Sequence, residues 1–556
     1  MIWYILFVFI FICIALLAGY LMLFHTIKFK SSNDTLLNNS PVVSDYGLSR
    51  MGNCWLSKNK WGLFEMYIEG TANERGIVNG KLTEKLMYRQ ENLFVGEIKK
   101  RVPGKVYLFL LKLIIIWMIR NIKKHIGNEY CMEIRGIAAS ASREFRMIGP
   151  GYNRIMGYHA AHDIGHALQN SHLVGCTSFA LSGEKTSDGK IMHARNFDFY
   201  LGDQFSREKI VTFYAPEFGS KFVMITWGGL IGTASGMNIH GLVITVNAAK
   251  SKMPFSITTP VTILVREVLQ YACDIHQAIG IISNKKISVS ESFLISSGME
   301  NKALIVEKTP YKTEIYDTGK NQIICTNHFQ SDKLKNDALN IKQKNESASM
   351  ARYKRVEELL NRIDKVNVKD AVDILRNRSG LNDEPIGRGN EITVNQLLAH
   401  HSIVFKPSEL KFWISSGPNC LGEFVCYKLD DVFEQAVKFS ESYNLVSSED
   451  VIPCDEFLTD GGNDEFETFK LLSKKITECK KNDIVDNSII QEMIYLNSDY
   501  FYSYNIAGDY YKSKKQYSAA VEYYNQALEK IIPNKKERNE IEKNRMACLK
   551  KQKGKV

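Results

Sequence analysis

No CxxC pair occurs among the eleven cysteines, and their odd count shows no regular spacing. Neither a disulfide-stapled secreted fold nor a zinc site is indicated. A sustained basic run is also missing: 71 Lys and Arg against 61 Asp and Glu leave a net charge of +10, spread as scattered lysines. That pattern implies mild attraction to anionic membrane surfaces and excludes a nucleic-acid footprint. No charge precedes His25, the small-residue pattern near Ala18 is poor, and Phe11-Ile12 puts no small residue before Cys13. These lacks argue against a cleavable signal peptide and against a lipoprotein site. What does stand there is an uninterrupted apolar run, Ile2 to Phe24, long enough for a bilayer that needs about 20 residues.

The run predicts a single-pass membrane anchor over residues 1–27, followed by a polar linker over 28–60. Lys28 and Lys30 flank it on the C-terminal side, which favours a cytoplasmic body. Long following domains cross regardless of that bias, so the side stays open, with an extracytoplasmic body as the expectation. The remaining chain has ordinary globular usage, 45% hydrophobic and 24% charged residues in 556, with room for more than one domain.

Chemistry concentrates in Gly175-Cys176-Thr177-Ser178-Phe179-Ala180 and in His193-Ala194-Arg195-Asn196-Phe197-Asp198-Phe199. Apolar and polar residues alternate from Thr177 to Leu181 and from Lys190 to Arg195, around a turn signal at 185–189. This predicts a β-hairpin with a cysteine at the mouth of its first strand. Its second strand returns Arg195 and Asp198 beside the thiol: a cation that favours thiolate and a carboxylate that fixes geometry. The competing reading is a small buried cysteine next to a structural ion pair.

This constellation resembles the N-terminal-nucleophile hydrolases of the choloylglycine hydrolase, acid ceramidase and penicillin acyltransferase group. Their proenzymes carry Cys-Thr, a short hairpin and a Gly-Arg-Asn-x-Asp block; here Ala194 takes the glycine's place. Strand Phe64 to Gly70 with its following glycine-punctuated turn, and Gly236-Met237-Asn238-Ile239-His240-Gly241-Leu242, extend the likeness over roughly Phe64 to Leu429. The resemblance implies a four-layer αββα sandwich, with an N-terminal segment at 61–175 and a catalytic segment at 176–430. It implies self-cleavage between Gly175 and Cys176, and Cys176 as nucleophile with its own freed α-amine as base. Arg195 and Asp198 are implied to orient that nucleophile and Asn247, at a strand end, to donate to the oxyanion. Asn327 in Thr326-Asn327-His328 is implied to contact substrate, and Arg352 on the helix after Ser349 to face the nucleophile, Arg355 being its near rival. Hydrolysis or formation of a non-peptide carbon–nitrogen bond in a small N-acyl substrate is the implied reaction, without metal or organic cofactor.

Periodicity by itself supports only a layered α and β fold: helices at Val261 to Tyr271 and Ile275 to Ser283, and strands that include Lys411 to Ser415. His328 and His401 leave a conventional Cys-His pair open. His159, His162 and His166, placed near one face if a single helix runs through them, offer a rival metal-dependent hydrolase. Val106 to Ile119 is strongly apolar and reads as a buried helix, with an interfacial helix as the alternative. Tyr504, Ala507, Gly508, Tyr511, Ala520, Tyr524 and Ala527 fit one tetratricopeptide-like unit at about 501–534, within a helical region at 431–556. That region is a potential protein-partner surface, and it underlies a third reading, a membrane-tethered scaffold with an inactive enzyme fold.

Overall fold

The hairpin around Cys176 forms strands Val174–Leu181 and Met192–Phe199, antiparallel, with Cys176 opposite Phe197 and Gly175 opposite Asp198. In this computed structural model, residues 35–44, 47–101, 104–168, 174–199, 203–252, 254, 256–439, 444–479 and 483–553 are described. The apolar run at 2–24 lies outside them. Among the described residues, no helix is long and apolar enough to cross a membrane.

The hairpin belongs to a sheet whose order is Gln322–Cys325, Val174–Leu181, Met192–Phe199, Ala399–Lys406, Lys411–Ser415, Phe424–Lys428, Val446–Ile452, all neighbours antiparallel. The sheet thus takes its last strand from beyond residue 430. A second, larger sheet runs from Val42–Val43 to Thr313–Tyr316, with one parallel pairing, Phe64–Gly70 against Ile210–Pro216.

Alternation along each strand sends successive side chains to opposite faces, and the central strands of both sheets are covered on both faces. Trp55, Phe213 and Val243 of the larger sheet meet Ile403, Phe405 and Phe412 of the smaller one between the layers. On the far side of the larger sheet, Ile244 and Phe293 pack under Leu264 and Ile282 of helices Val261–Tyr271 and Ile275–Asn284. On the far side of the smaller one, Phe179 and Val404 pack under Val356 and Val372 of helices Ser349–Asn361 and Val368–Leu375. The order is helix, sheet, sheet, helix: a mixed α/β fold with a helical C-terminal region.

Strand Ser290–Ser297 escapes the sequence reading because SESFLISS mixes hydroxyls with apolar residues. It is buried throughout, and its Ser296 Oγ lies 2.9 Å from Nδ1 of buried His193. Helices Ala72–Leu82 and Asn128–Ala138 cross at two glycines. A Cβ at Gly76 would lie 2.2 Å from the carbonyl oxygen of Glu133, so only hydrogen fits.

The segment read as a buried helix is a correction. Lys105–Ile119 buries Ile116, Met118 and Ile119 but exposes Val106, Tyr107, Phe109, Leu110, Ile114 and Trp117. It is apolar all round yet packed on one side only. The histidines do not share one helix either, because Gly151–His159 ends and Ala161–Leu168 begins between His159 and His162.

In the C-terminal region, helices Phe501–Ser513 and Tyr517–Glu529 form a hairpin in which Gly508 accommodates the ring of Tyr524. The pair rests on helix Gly462–Thr477 through Phe466, Phe469 and Ile506. Asn497 joins the region to the two-sheet part, accepting from the N–H of Arg388 and donating to its carbonyl, both at 2.9 Å.

Candidate active site

Cys176 is fully buried, and Arg195 Nη2 donates to its Sγ at 3.4 Å. Arg195 is locked by further donations to the carbonyls of Ala234 and Val246 and to Ser235 Oγ at 2.7 Å. Burial pushes the thiol above its usual range; Arg195 opposes the shift and Asp198 adds to it. The sulfur is therefore a neutral thiol held next to a fixed cation.

The backbone N–H of Cys176 donates to Asn327 Oδ1 at 2.9 Å, and Asn327 Nδ2 donates to the carbonyl of Ala248. Arg352 reaches the same point: Nη2 to Asn327 Oδ1 at 2.7 Å, Nη1 to the Cys176 carbonyl at 2.6 Å and to Thr177 Oγ1 at 2.9 Å. Its rival Arg355 turns away to Asn377, Glu358 and Asp383. Asp198 faces Gly175, with Oδ2 accepting from Gln396 Nε2 at 2.9 Å and Oδ1 buried without a hydrogen bond. Burial lifts its carboxyl to about 7, against the pull of Arg352 and Arg195. Gly175 is pinched among these groups: a Cβ would stand 2.7 Å from Gln396 Nε2 and 3.4 Å from Asp198 Oδ2.

Six sequence-predicted residues thus cluster, five of them around the Gly175–Cys176 bond. Asn247 is the sixth, on strand Leu242–Ala249 of the facing larger sheet, and its carboxamide makes two hydrogen bonds within the core. Nδ2 donates to the Cys325 carbonyl at 2.9 Å, and Oδ1 accepts from Ser178 Oγ at 2.8 Å. The histidines lie elsewhere. His328 Nδ1 contacts Ser349 Oγ at 2.9 Å, and His401 Nε2 contacts Ser235 Oγ at 2.8 Å. Among the described residues, Arg195 is the hydrogen-bond partner of Sγ and no imidazole is. His159 donates from Nδ1 to the Ile155 carbonyl and accepts the Ile231 N–H at Nε2; burial lowers it to about 4, so it is a neutral structural group. No group of three or more His, Cys, Asp or Glu suited to a metal occurs among the described residues. His172 and the side chain of His166 lie outside them.

Gln396 and Ser235 are the site residues that sequence reasoning missed. Gln396 sits in an irregular segment that no motif marks, whereas Ser235 directly precedes the Gly236-Met237-Asn238 block without belonging to it. Phe197 and Ala234, which pack in one cluster with Cys176, also line an apolar cavity together with Phe94, Tyr158, Phe199, Phe205 and Trp227 among others. The guanidinium of Arg195 stacks over Phe197 at 4.7 Å, so the cavity wall and the thiol share one cation.

Residues 184–419 match the family model described as acyl-coenzyme A:6-aminopenicillanic acid acyl-transferase. This stretch contains Arg195, Asp198, Asn247, Asn327 and Arg352 and begins after Cys176. An uncharacterized protein of Archaeoglobus fulgidus is 25% identical over 251 residues, 43% of this chain and 42% of that protein's length. Among solved structures, the chain is similar to the Caenorhabditis elegans ortholog of N-acylethanolamine-hydrolyzing acid amidase, at 18% identity and TM-score 0.31, covering 42% of this chain and 93% of that one. It is also similar to the conjugated bile acid hydrolase of Clostridium perfringens, at 12% identity and TM-score 0.31, covering 50% and 97%. The family-model match thus covers less than half of the chain and makes its central part similar to that acyl-transferase family.

Proposed function

We propose that this chain is an autoproteolytic amidohydrolase or acyltransferase with Cys176 as nucleophile and an αββα N-terminal-nucleophile sandwich as its scaffold. The single observation that carries the reading is the Gly175–Cys176 bond. Its carbonyl-side residue is squeezed beside Asp198 and Gln396, its N–H is held by Asn327, and its thiol is held by Arg195.

In the first step Sγ attacks the Gly175 carbonyl carbon. A carbon–sulfur bond forms, the carbon–nitrogen bond breaks, and the thiol proton ends on the freed nitrogen of Cys176. Water then hydrolyses the thioester, leaving the Gly175 carboxylate and a free thiol. The new α-amine, with a reference pKa of about 7.7–8.0, keeps Asn327 Oδ1 as partner and takes the thiol proton in each later turnover. The attacked substrate amide passes its acyl group to sulfur, and its amine leaves with that proton. Water or a second amine then resolves the acyl-enzyme.

The apolar cavity suits the acyl part, so the substrate class is an amide with an apolar acyl group. Anchorage by residues 2–24 and a protein-partner role for the C-terminal helices belong to the same proposal. Intact mass and N-terminal sequencing of the wild type and of Cys176→Ala test it. The expected result is a fragment beginning at Cys176 in the wild type and a whole, folded variant; two uncut, folded proteins would overturn it.

A further inference from the structure

We propose that the outward face of helix Lys105–Ile119 seats on an anionic lipid bilayer. Its exposed side chains, Val106 at 70%, Tyr107 at 65%, Phe109 at 50%, Leu110 at 46%, Ile114 at 41% and Trp117 at 41%, form an apolar face far richer than scattered surface hydrophobics. Met147, 77% exposed, extends that face, because Lys112 Nζ donates to its carbonyl and holds it alongside. The opposite side of the helix is anchored: Met118 and Ile119 pack with Tyr152, Ile155 and Met156. The face is therefore presented by a fixed element.

Charge selects the occupant. From Ile98 to Asn128 the chain carries Lys99, Lys100, Arg101, Lys105, Lys112, Arg120, Lys123 and Lys124, and no Asp or Glu. The guanidinium of Arg120 stacks on Trp117 at 3.5 Å, an aromatic and a cation together at the rim of the apolar face. An apolar face flanked along the chain by one sign of charge suits acyl chains beneath anionic headgroups. A second copy of the chain would bring the same positive rim against itself, which disfavours self-pairing. Length sets the pose: the 15 residues span about 22 Å at roughly 1.5 Å each, short of a hydrocarbon core of about 30 Å, so the helix lies on the membrane and does not cross it. The inference stands on this surface and does not depend on the catalytic reading.

The test uses the full-length chain with vesicles of phosphatidylglycerol or of phosphatidylcholine, each doped with a phospholipid bearing a photoreactive acyl chain. Labelled peptides are then mapped by mass spectrometry, because the apolar run at 2–24 would hold the protein on any vesicle and only a peptide-resolved readout isolates the helix. The expected result is labelling within 105–119 that is at least about fivefold stronger on phosphatidylglycerol and drops by a similar factor in the Phe109→Ser/Leu110→Ser variant. Both replaced side chains are half-exposed, so the variant should melt with the parent. Labelling elsewhere but not in 105–119 would overturn the proposal. So would equal labelling on both lipids, or protection of the segment by self-association without vesicles.

Discussion

Arg195 is the residue on which the site turns, and its own support comes from far away in the chain. Ser235 Oγ accepts from it and contacts His401 Nε2 at 2.8 Å, while His401 Nδ1 lies 2.8 Å from His400 Nδ1. Burial holds both imidazoles well below their ordinary range, so this backing is neutral and leaves the guanidinium's charge to the thiol. Ser235→Ala should therefore lower kcat by about tenfold with KM little changed, because it loosens a positioned group without touching substrate. At Gly175 an added methyl would have to displace Gln396 from Asp198. Gly175→Ala is expected to slow self-cleavage by about tenfold or more in a folded protein, followed as band conversion over time. Asp198, lifted to about 7, is protonated below that pH and can relay the proton, giving its own to the leaving nitrogen and taking the thiol's in exchange. Self-cleavage should then slow as pH rises through about 7, and Asp198→Asn should abolish that dependence.

At the scale of elements, helix Ala161–Leu168 is held down by groups that dislike charge. Asp163 accepts the Val261 N–H at 3.3 Å, and burial raises its carboxyl to about 8. Glu291, its buried neighbour, is pushed well above its ordinary value by burial and by Asp163, with His162 Nδ1 at 3.7 Å from it. For a carboxyl whose folded pKa is raised, the stabilising protonated form is fully present below the unfolded value of about 3.9. Its contribution is lost as pH rises through the folded value. Asp163→Asn should thus gain in melting temperature relative to the parent between about pH 5 and about pH 9, read by thermal scans across that range.

For the whole molecule, the two sides of the proposed cut are woven together. The larger sheet pairs Phe64–Gly70 from before it with Ile210–Pro216 from after it. Glu133 before it is buried against Arg75 and against Arg266 after it. Burial alone would raise the Glu133 carboxyl, but Arg266 and Arg75 hold it below its ordinary value. Cleaved fragments should therefore co-elute on native size exclusion. Glu133→Gln leaves two buried guanidiniums without their carboxylate and should cost about 3–5 kcal/mol in urea unfolding.

The chain's local pattern by itself determined what depends on neighbours a few residues apart: the hairpin that returns Arg195 and Asp198 beside Cys176, helix Val261–Tyr271, and strand Lys411–Ser415. Alternation and turn chemistry are written at such short range. The resemblance added Asn327 and Arg352, which lie 151 and 176 residues from Cys176 and which no spacing rule connects to it. Tertiary structure alone decided that Gln396 closes on Gly175, that Asn247 donates to the Cys325 carbonyl, and that Ser235 and His401 stand behind Arg195. It also decided which face of helix Lys105–Ile119 goes uncovered, since a segment apolar on every side carries no periodicity to say so. Which atoms meet across sheets, and which remain open, depends on packing between distant segments, and that information is absent from any short window of the chain.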